Sequence, residues 1–460
     1  MLSLDFVDHS LVFSSVLAEV PTEEAAPLIL AGVLLSLMVV YLASKLGGEL
    51  SRMMGLPPVL GELVSGVLVG VSALHLLVFP EAGIEASSSV LMGALQTLMG
   101  TSGETLNYVF ETQGEIISVL AELGVIILLF EIGLESDLKE LQKVGWQAAI
   151  VAVVGVVAPF ALGTVGLMAI FNVAALPAIF AGAALTATSI GITSKVLSEL
   201  GQLRSREGQI IVGAAVMDDV LGIIVLAVVA SLAKTGDVSI PNVAILIASA
   251  SGFLLGAILV GRGFNKVFGS ISDRLQTRGN LVIPALTFAL ALAFVAQVVH
   301  LEAILGAFAA GLVLDETDQR KELDRQIMPI ADVLVPIFFV TVGARVDLSV
   351  LNPVYPENRP GLIIAAFLIV VAMIGKTITG WAVIGKEPVN RLAVGFGMIP
   401  RGEVGLVFAG IGAASGTLDR PLQAAIIAMV ILTTLVAPLL LRWAFREEET
   451  VAETADLAGS

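Results

Sequence analysis

Residues 208–230 read GQIIVGAAVMDDVLGIIVLAVVA. A run of this length and apolarity is enough to cross a bilayer core as a helix, which takes about 20 residues. Near its middle it carries two adjacent acids, Asp218 and Asp219. One ionised side chain at the bilayer centre costs at least ~2.5–3.5 kcal/mol on insertion scales. Two neighbouring carboxylates also repel each other, and a bound proton or cation relieves both penalties. A static salt bridge that fixes helix packing has a use for one of these acids only. The pair points instead to a carrier that binds protons and cations in turn.

The rest of the chain fits that reading. Of 460 residues, 57% are hydrophobic and 14% are charged, against about 25% charged in an average soluble domain. Apolar segments recur near 27–46, 57–79, 115–134, 145–169, 174–199, 207–232, 241–262, 280–299, 302–316, 327–344, 361–382, 391–414 and 421–443. The expected fold is an all-α polytopic membrane protein of about 13 transmembrane helices. The short segments 302–316 and 327–344 suggest tilt, breaks or burial. Residues 1–26 form an N-terminal segment, 27–443 the membrane domain and 444–460 a short polar tail expected to be disordered. The stretch 80–114 is expected to hold an interfacial helix or a loop near Val90–Met99, and 262–278 to be a basic linker.

There are no cysteines and only three histidines, His9, His75 and His300. A disulfide framework, a thiolate site and a His-rich metal site are therefore not expected. The net charge of -16 argues against nucleic acid. The first residues lack the basic region of a signal peptide. Most of the 24 basic residues lie on one side if the N-terminus is outside and the C-terminus inside; Lys234, Arg345, Arg359 and Arg420 fall on the other.

Two pairs of segments are alike. VLGELVSGVLVG from Val59 matches ILGAFAAGLVL from Ile304, aligning Gly66 with Gly311. LLFEIGLESDL from Leu128 matches FFVTVGARVDL from Phe338, aligning Gly133 with Gly343 and Asp137 with Asp347. Both imply a shift of seven spans. An odd shift reverses membrane direction, so the halves, about 57–232 and 302–443, read as inverted repeats. The shift pairs span five with span twelve, and both look broken. Span five carries TATS at Thr186–Ser189; span twelve carries GFGMIPRGEVG, where Pro400 removes a helix hydrogen bond and Gly402 weakens the next turn. Two crossed discontinuous helices would bring opposite dipole ends together, with Arg401 and Glu403 placed to balance them.

Lys376, in MIGKTITG, is an isolated amine in span eleven and the natural partner of one aspartate. Neighbours on a helix point about 100° apart, so one acid can pair with Lys376 while the other faces a cation. Glu131, in LLFEIGLE, either lines an entry funnel or satisfies a helix end; both stay open. Glu62 is expected to cap a short helix, and His75 and His300 to be interfacial. GWAVIGKE from Gly380 and GIGAASG from Gly410 imitate nucleotide loops but lack the magnesium-binding hydroxyl, the third glycine and the strand context. No GxGD motif of an intramembrane protease occurs. A secondary active transporter, not an enzyme, is expected, with no cofactor.

GAALTATSIGITSKVL followed by AAVMDDVLGIIVLAVV resembles the second monovalent cation:proton antiporter family, and especially its bacterial sodium/proton antiporters. LPPVLGELVSGVLVG, LGVIILLFEIGLESDL, PIFFVTVGARVDL, IGKTITG and IPRGEVGLVF are further blocks of the same likeness, in order over nearly all of 50–440. The resemblance implies a homodimer in the lipid bilayer and elevator-like movement. It implies that Asp219 binds Na+ (or Li+) and protons alternately, that Asp218 pairs with Lys376, and that Thr188 and Ser189 neighbour the cation, so that sodium would be held at Asp219 and Thr188. Members with a double aspartate and a lysine resemble electrogenic exchangers. Potassium-exporting relatives often have a Gln-Asp pair and a nucleotide-binding domain, neither of which is found here; K+/H+ exchange is the alternative, and a cation sensor or channel is the alternative of another class. The expected location is a bacterial inner membrane, or an internal energised membrane such as a thylakoid.

Overall fold

The computed structural model describes residues 22–80, 84–100, 103–235, 240–275, 277–351, 358–384 and 388–459. Its regular structure is helical. In chain order the helices are α1 (Thr22–Met53), α2 (Pro58–Val69), α3 (Val90–Met99), α4 (Gly103–Glu135), α5 (Leu138–Phe171), α6 (Ala175–Ala184), α7 (Ile190–Glu199) and α8 (Arg206–Thr235). They continue with α9 (Ile240–Arg274), α10 (Val282–Val298), α11 (Ala303–Leu314), α12 (Arg320–Ala344), α13 (Asn358–Thr377), α14 (Arg391–Gly397), α15 (Glu403–Ala414) and α16 (Arg420–Gly459).

Eight helices among the described residues, α1, α4, α5, α8, α9, α12, α13 and α16, are long and apolar enough to cross a membrane. The shorter α2, α10 and α11 and the half-helix pairs α6–α7 and α14–α15 account for the other five expected segments. The amphipathic α3 is the helix expected near Val90; Ser89 caps it by accepting from the Met92 N–H.

Helix and apolar run do not end together. α4 starts at Gly103, twelve residues before its expected span, through the acidic stretch GETLNYVFETQG. α9 continues to Arg274 through most of the expected basic linker, and α16 runs to Gly459 through the expected disordered tail. Glu, Lys, Arg and Ala are good helix formers, so a helix persists where hydropathy has already fallen. Glu62 lies inside α2 and accepts a 2.8 Å hydrogen bond from Ser44. Residues 1–21, which include His9, lie outside the described part.

The chain divides into two compact units. The first comprises Met1–Leu46, Glu62–Glu122 and Pro336–Asp347. Within it α2 meets the end of α12: a Cβ added at Gly66 would lie 2.9 Å from the Gly343 Cα, and one at Gly343 would lie 2.9 Å from the Gly66 Cα. The second comprises Gly47–Gly61, Leu123–Val335 and Leu348–Ser460. Within it α11 meets the end of α4, with a Cβ at Gly311 standing 2.9 Å from the Gly133 Cα. These are the glycines that the repeat pairs, Gly66 with Gly311 and Gly133 with Gly343. Each contact thus joins one glycine of each repeat backbone on backbone, and only glycine permits it.

Two apolar clusters hold the second unit together. One gathers Phe130, Phe253, Phe268, Phe288 and Leu305 from α4, α9, α10 and α11. The other gathers Phe180, Leu185, Leu368, Phe408 and Met429 around α6, α13, α15 and α16. The second cluster brackets the broken helices and fixes their ends.

Candidate functional site

Span five unwinds at 185–189 between α6 and α7, and span twelve at 398–402 between α14 and α15. The breaks cross and satisfy each other. The Ser189 N–H donates to the Pro400 carbonyl at 2.8 Å. Thr188 Oγ1 donates to Met398 O at 3.1 Å, and Thr193 Oγ1 to Gly397 O at 2.9 Å. In return Arg401 Nη1 donates to Thr186 O and Ala187 O at 3.1 and 2.5 Å. The start of α7 therefore faces the end of α14, and a guanidinium covers the carbonyls that follow α6. Unlike dipole ends attract across such a crossing.

Charge gathers at this crossing. Lys376 Nζ lies 2.9 Å from Asp218 Oδ2 and donates to Thr188 Oγ1 at 2.8 Å. Relative exposure is 0% for Asp218 and Lys376, 1% for Arg401 and 4% for Asp219. Asp218 and Asp219 come from the middle of α8. Lys376 comes from the last turn of α13, a position that favours a cation through the helix dipole. There the helix tightens into a 3₁₀ turn over Ile378–Ala382, and Thr379 Oγ1 donates to Lys376 O at 2.6 Å. Gly155 of α5 makes room for the ammonium: a Cβ there would stand 3.3 Å from Nζ. Asp218 Oδ1 and Arg401 Nε and Nη2 are buried and make no hydrogen bond among the described residues.

The structure therefore brings together Asp218, Asp219, Thr188, Ser189, Lys376 and Arg401. Thr188 is already engaged on both sides, accepting from Lys376 and donating to Met398. Glu403 is the first residue of α15; its side chain lies outside the described part. Glu131 is apart from the group, on α4, where Lys195, Glu135, Asp324 and Asp332 are the charges that act on it. His75 is partly exposed and His300 exposed, and both adopt left-handed backbone angles at the ends of helical turns.

The sequence reading missed Thr193, Gly155 and Thr434, whose Oγ1 donates to the Arg401 carbonyl at 2.6 Å. A hydroxyl pair in an apolar span, Thr433–Thr434, was the available signal for the last.

Crossed discontinuous helices around buried carboxylates and a buried amine define an ion-coupled secondary transporter. The chain belongs to the transmembrane sodium/hydrogen exchanger family, whose model matches residues 18–447. It is 64% identical over 422 residues to the high-affinity Na(+)/H(+) antiporter NhaS3 of Synechocystis sp., covering 92% of each chain. It is 32% identical to the Na(+)/H(+)-K(+) antiporter GerN of Bacillus cereus, covering 88% of this chain and 94% of that one. Its fold is similar to that of the sodium proton antiporter MjNhaP1 from Methanocaldococcus jannaschii, with a TM-score of 0.58 at 17% identity, covering 91% of this chain and 97% of that one.

Proposed function

We propose that the chain is an electrogenic Na+(Li+)/H+ antiporter in which sodium and protons compete for Asp219. The observation that carries this reading is the wholly buried Lys376–Asp218 pair at 2.9 Å, with a second buried carboxylate beside it. A carboxylate oxygen holds a proton or a cation, not both, so loading one ion releases the other. Thr188 links the two events. Its oxygen accepts from Lys376, and it turns to a cation at Asp219 only as the ammonium withdraws. Two protonatable places, Asp219 and the Lys376–Asp218 pair, allow more than one proton per sodium, hence net charge movement. Arg401 supplies a fixed positive charge that helps to balance Asp218. Glu403 at the start of α15 serves the same balance at a helix N-terminus.

Alternating access is by elevator movement in a homodimer, in a bacterial inner membrane or an internal energised membrane. The N-terminus is outside, which follows from the basic residues, and Glu131 either lines an entry funnel or satisfies a helix end. The Bacillus cereus relative GerN is a Na(+)/H(+)-K(+) antiporter, and K+/H+ exchange is accordingly the second reading.

The test is proton flux in proteoliposomes with an imposed pH gradient, adding sodium, lithium or potassium in turn. Collapse with sodium and lithium that vanishes in Asp219→Asn is expected. Equal collapse with potassium promotes the second reading. Current without proton counterflow means a channel, and no response to any cation across pH means a sensor.

A further inference from the structure

α14 is only seven residues long, Arg391–Gly397. A helix this short is almost all ends: most of its N–H and C=O groups have no partner within it. Its place is therefore set by what those groups bind. At the break the Gly397 and Met398 carbonyls accept from Thr193 and Thr188. At the far end Asn390 binds three elements at once. Its Oδ1 caps α14, accepting from the Ala393 N–H at 3.0 Å. Its N–H donates to Glu207 Oε1 of α8 at 2.9 Å. Its Nδ2 donates to Ala444 O of α16 at 3.0 Å. Glu207 is a buried acid in the first turn of α8, where the helix N-terminus favours its charge. α16 also holds the break, through Thr434 and the Arg401 carbonyl.

Between its ends α14 lies on the elements that carry the charges. A Cβ at Gly395 would stand 2.8 Å from the Thr377 Cα, and one at Gly380 would stand 2.7 Å from the Arg391 carbonyl carbon. The helix thus rests backbone on backbone on the turn that follows Lys376. A Cβ at Gly397 would stand 2.6 Å from Ile211 Cδ1 on α8.

We propose that Asn390, seated on Glu207, is a positioning residue of the ion site, which sets the Met398 carbonyl and thereby the direction of the Thr188 hydroxyl.

A hydroxyl has one proton to donate and lone pairs to accept with. While Thr188 gives its proton to Met398 O, its lone pairs face Lys376, and those lone pairs are what a cation requires. A displaced α14 takes Met398 O away, and the hydroxyl then turns its proton toward the place where an acceptor is needed. Glu207 and Asp218 are eleven residues apart on α8, about 16 Å along its axis. The influence of Asn390 is therefore carried by geometry and not by contact with the charges.

The effect on sodium affinity rests on the antiport reading, whereas the hold on α14 does not. The experiment pairs sodium-driven proton flux in proteoliposomes with amide hydrogen exchange of residues 391–399 in the purified full-length protein. Asn390→Ala is expected to raise the sodium KM roughly tenfold, the worth of one ordinary hydrogen bond, with the maximal rate little changed and exchange at 391–399 faster. Glu207→Leu should do the same. Glu207→Gln keeps an oxygen for the Asn390 N–H and should restore both readings. In Asn390→Ala combined with Thr188→Val, KM should equal that of Thr188→Val alone, because the effect passes through Thr188. Multiplied effects in that double variant overturn the proposal. So does a natural KM in Asn390→Ala or Glu207→Leu, even with a lowered melting midpoint, since that marks a merely structural joint. If Asn390→Ala does not fold, Glu207→Leu against Glu207→Gln decides on the same terms. Faster exchange at 391–399 in Asn390→Ala, in a protein whose natural form moves no proton in response to sodium, supports the hold on α14 and overturns the antiport reading alone.

Discussion

The breaks at 185–189 and 398–402 are equal in length and cross each other, yet opposite chemistry holds them. The first contributes neutral donors, the Thr188 hydroxyl and the Ser189 N–H, backed by Thr193 in the next turn. The second contributes carbonyl acceptors and one buried guanidinium. A hydroxyl serves as donor to a carbonyl and acceptor from an ammonium, and it can change partners without a change of charge. A guanidinium is fixed in charge and in fork geometry. The first break is suited to rearrange around a moving cation, and the second to stay as it is. Substitutions on the two sides should therefore differ in kind as well as in size.

The largest effect is expected from Arg401→Gln. It uncovers the carbonyls after α6 and leaves two buried carboxylates with one cation, a loss of ~3–5 kcal/mol when a buried charge is stranded. Thermal unfolding in detergent should show a much lowered midpoint, and Arg401→Lys should restore it only in part because a lysine lacks the fork. A midpoint unchanged in Arg401→Gln would break the comparison. Next comes Thr188→Val, which keeps shape and removes the hydroxyl. A hydrogen bond to a charged group is worth ~1.5–3 kcal/mol, or roughly 10- to 100-fold. Here the loss should fall on the sodium KM in flux assays, with the melting midpoint lowered less than in Arg401→Gln. A variant that melts early but exchanges with natural KM would reverse the roles of the two breaks. The smallest effect is expected from Thr193→Val, ~1 kcal/mol for one neutral bond, seen as a modest midpoint shift with KM unchanged.

Most of this architecture is written where composition changes sharply. The spans follow hydropathy, and the breaks follow TATS and Pro400–Arg401–Gly402. The charge cluster follows from the cost of placing Asp218, Asp219 and Lys376 in apolar runs. What was not legible is what sequence does not encode locally. Thr193 binds a carbonyl of Gly397, and a carbonyl has no residue identity. The Arg204–Asp315 pair joins positions more than a hundred residues apart, and Asp315 stands at the end of a stretch that read as a span. Helix ends were displaced at α4, α9 and α16 because hydropathy marks where lipid would be, not where a helix stops. The repeat was legible from four glycines because close approach leaves no substitute for them.

The most direct test of the shared site is sodium binding to the purified protein by titration calorimetry at several pH values. The account predicts that the apparent Kd rises as pH falls, by up to tenfold per unit for each proton displaced, and that Asp219→Asn abolishes the signal while retaining a folded melting transition. Sodium affinity that is the same at every pH, or that survives Asp219→Asn, would contradict it.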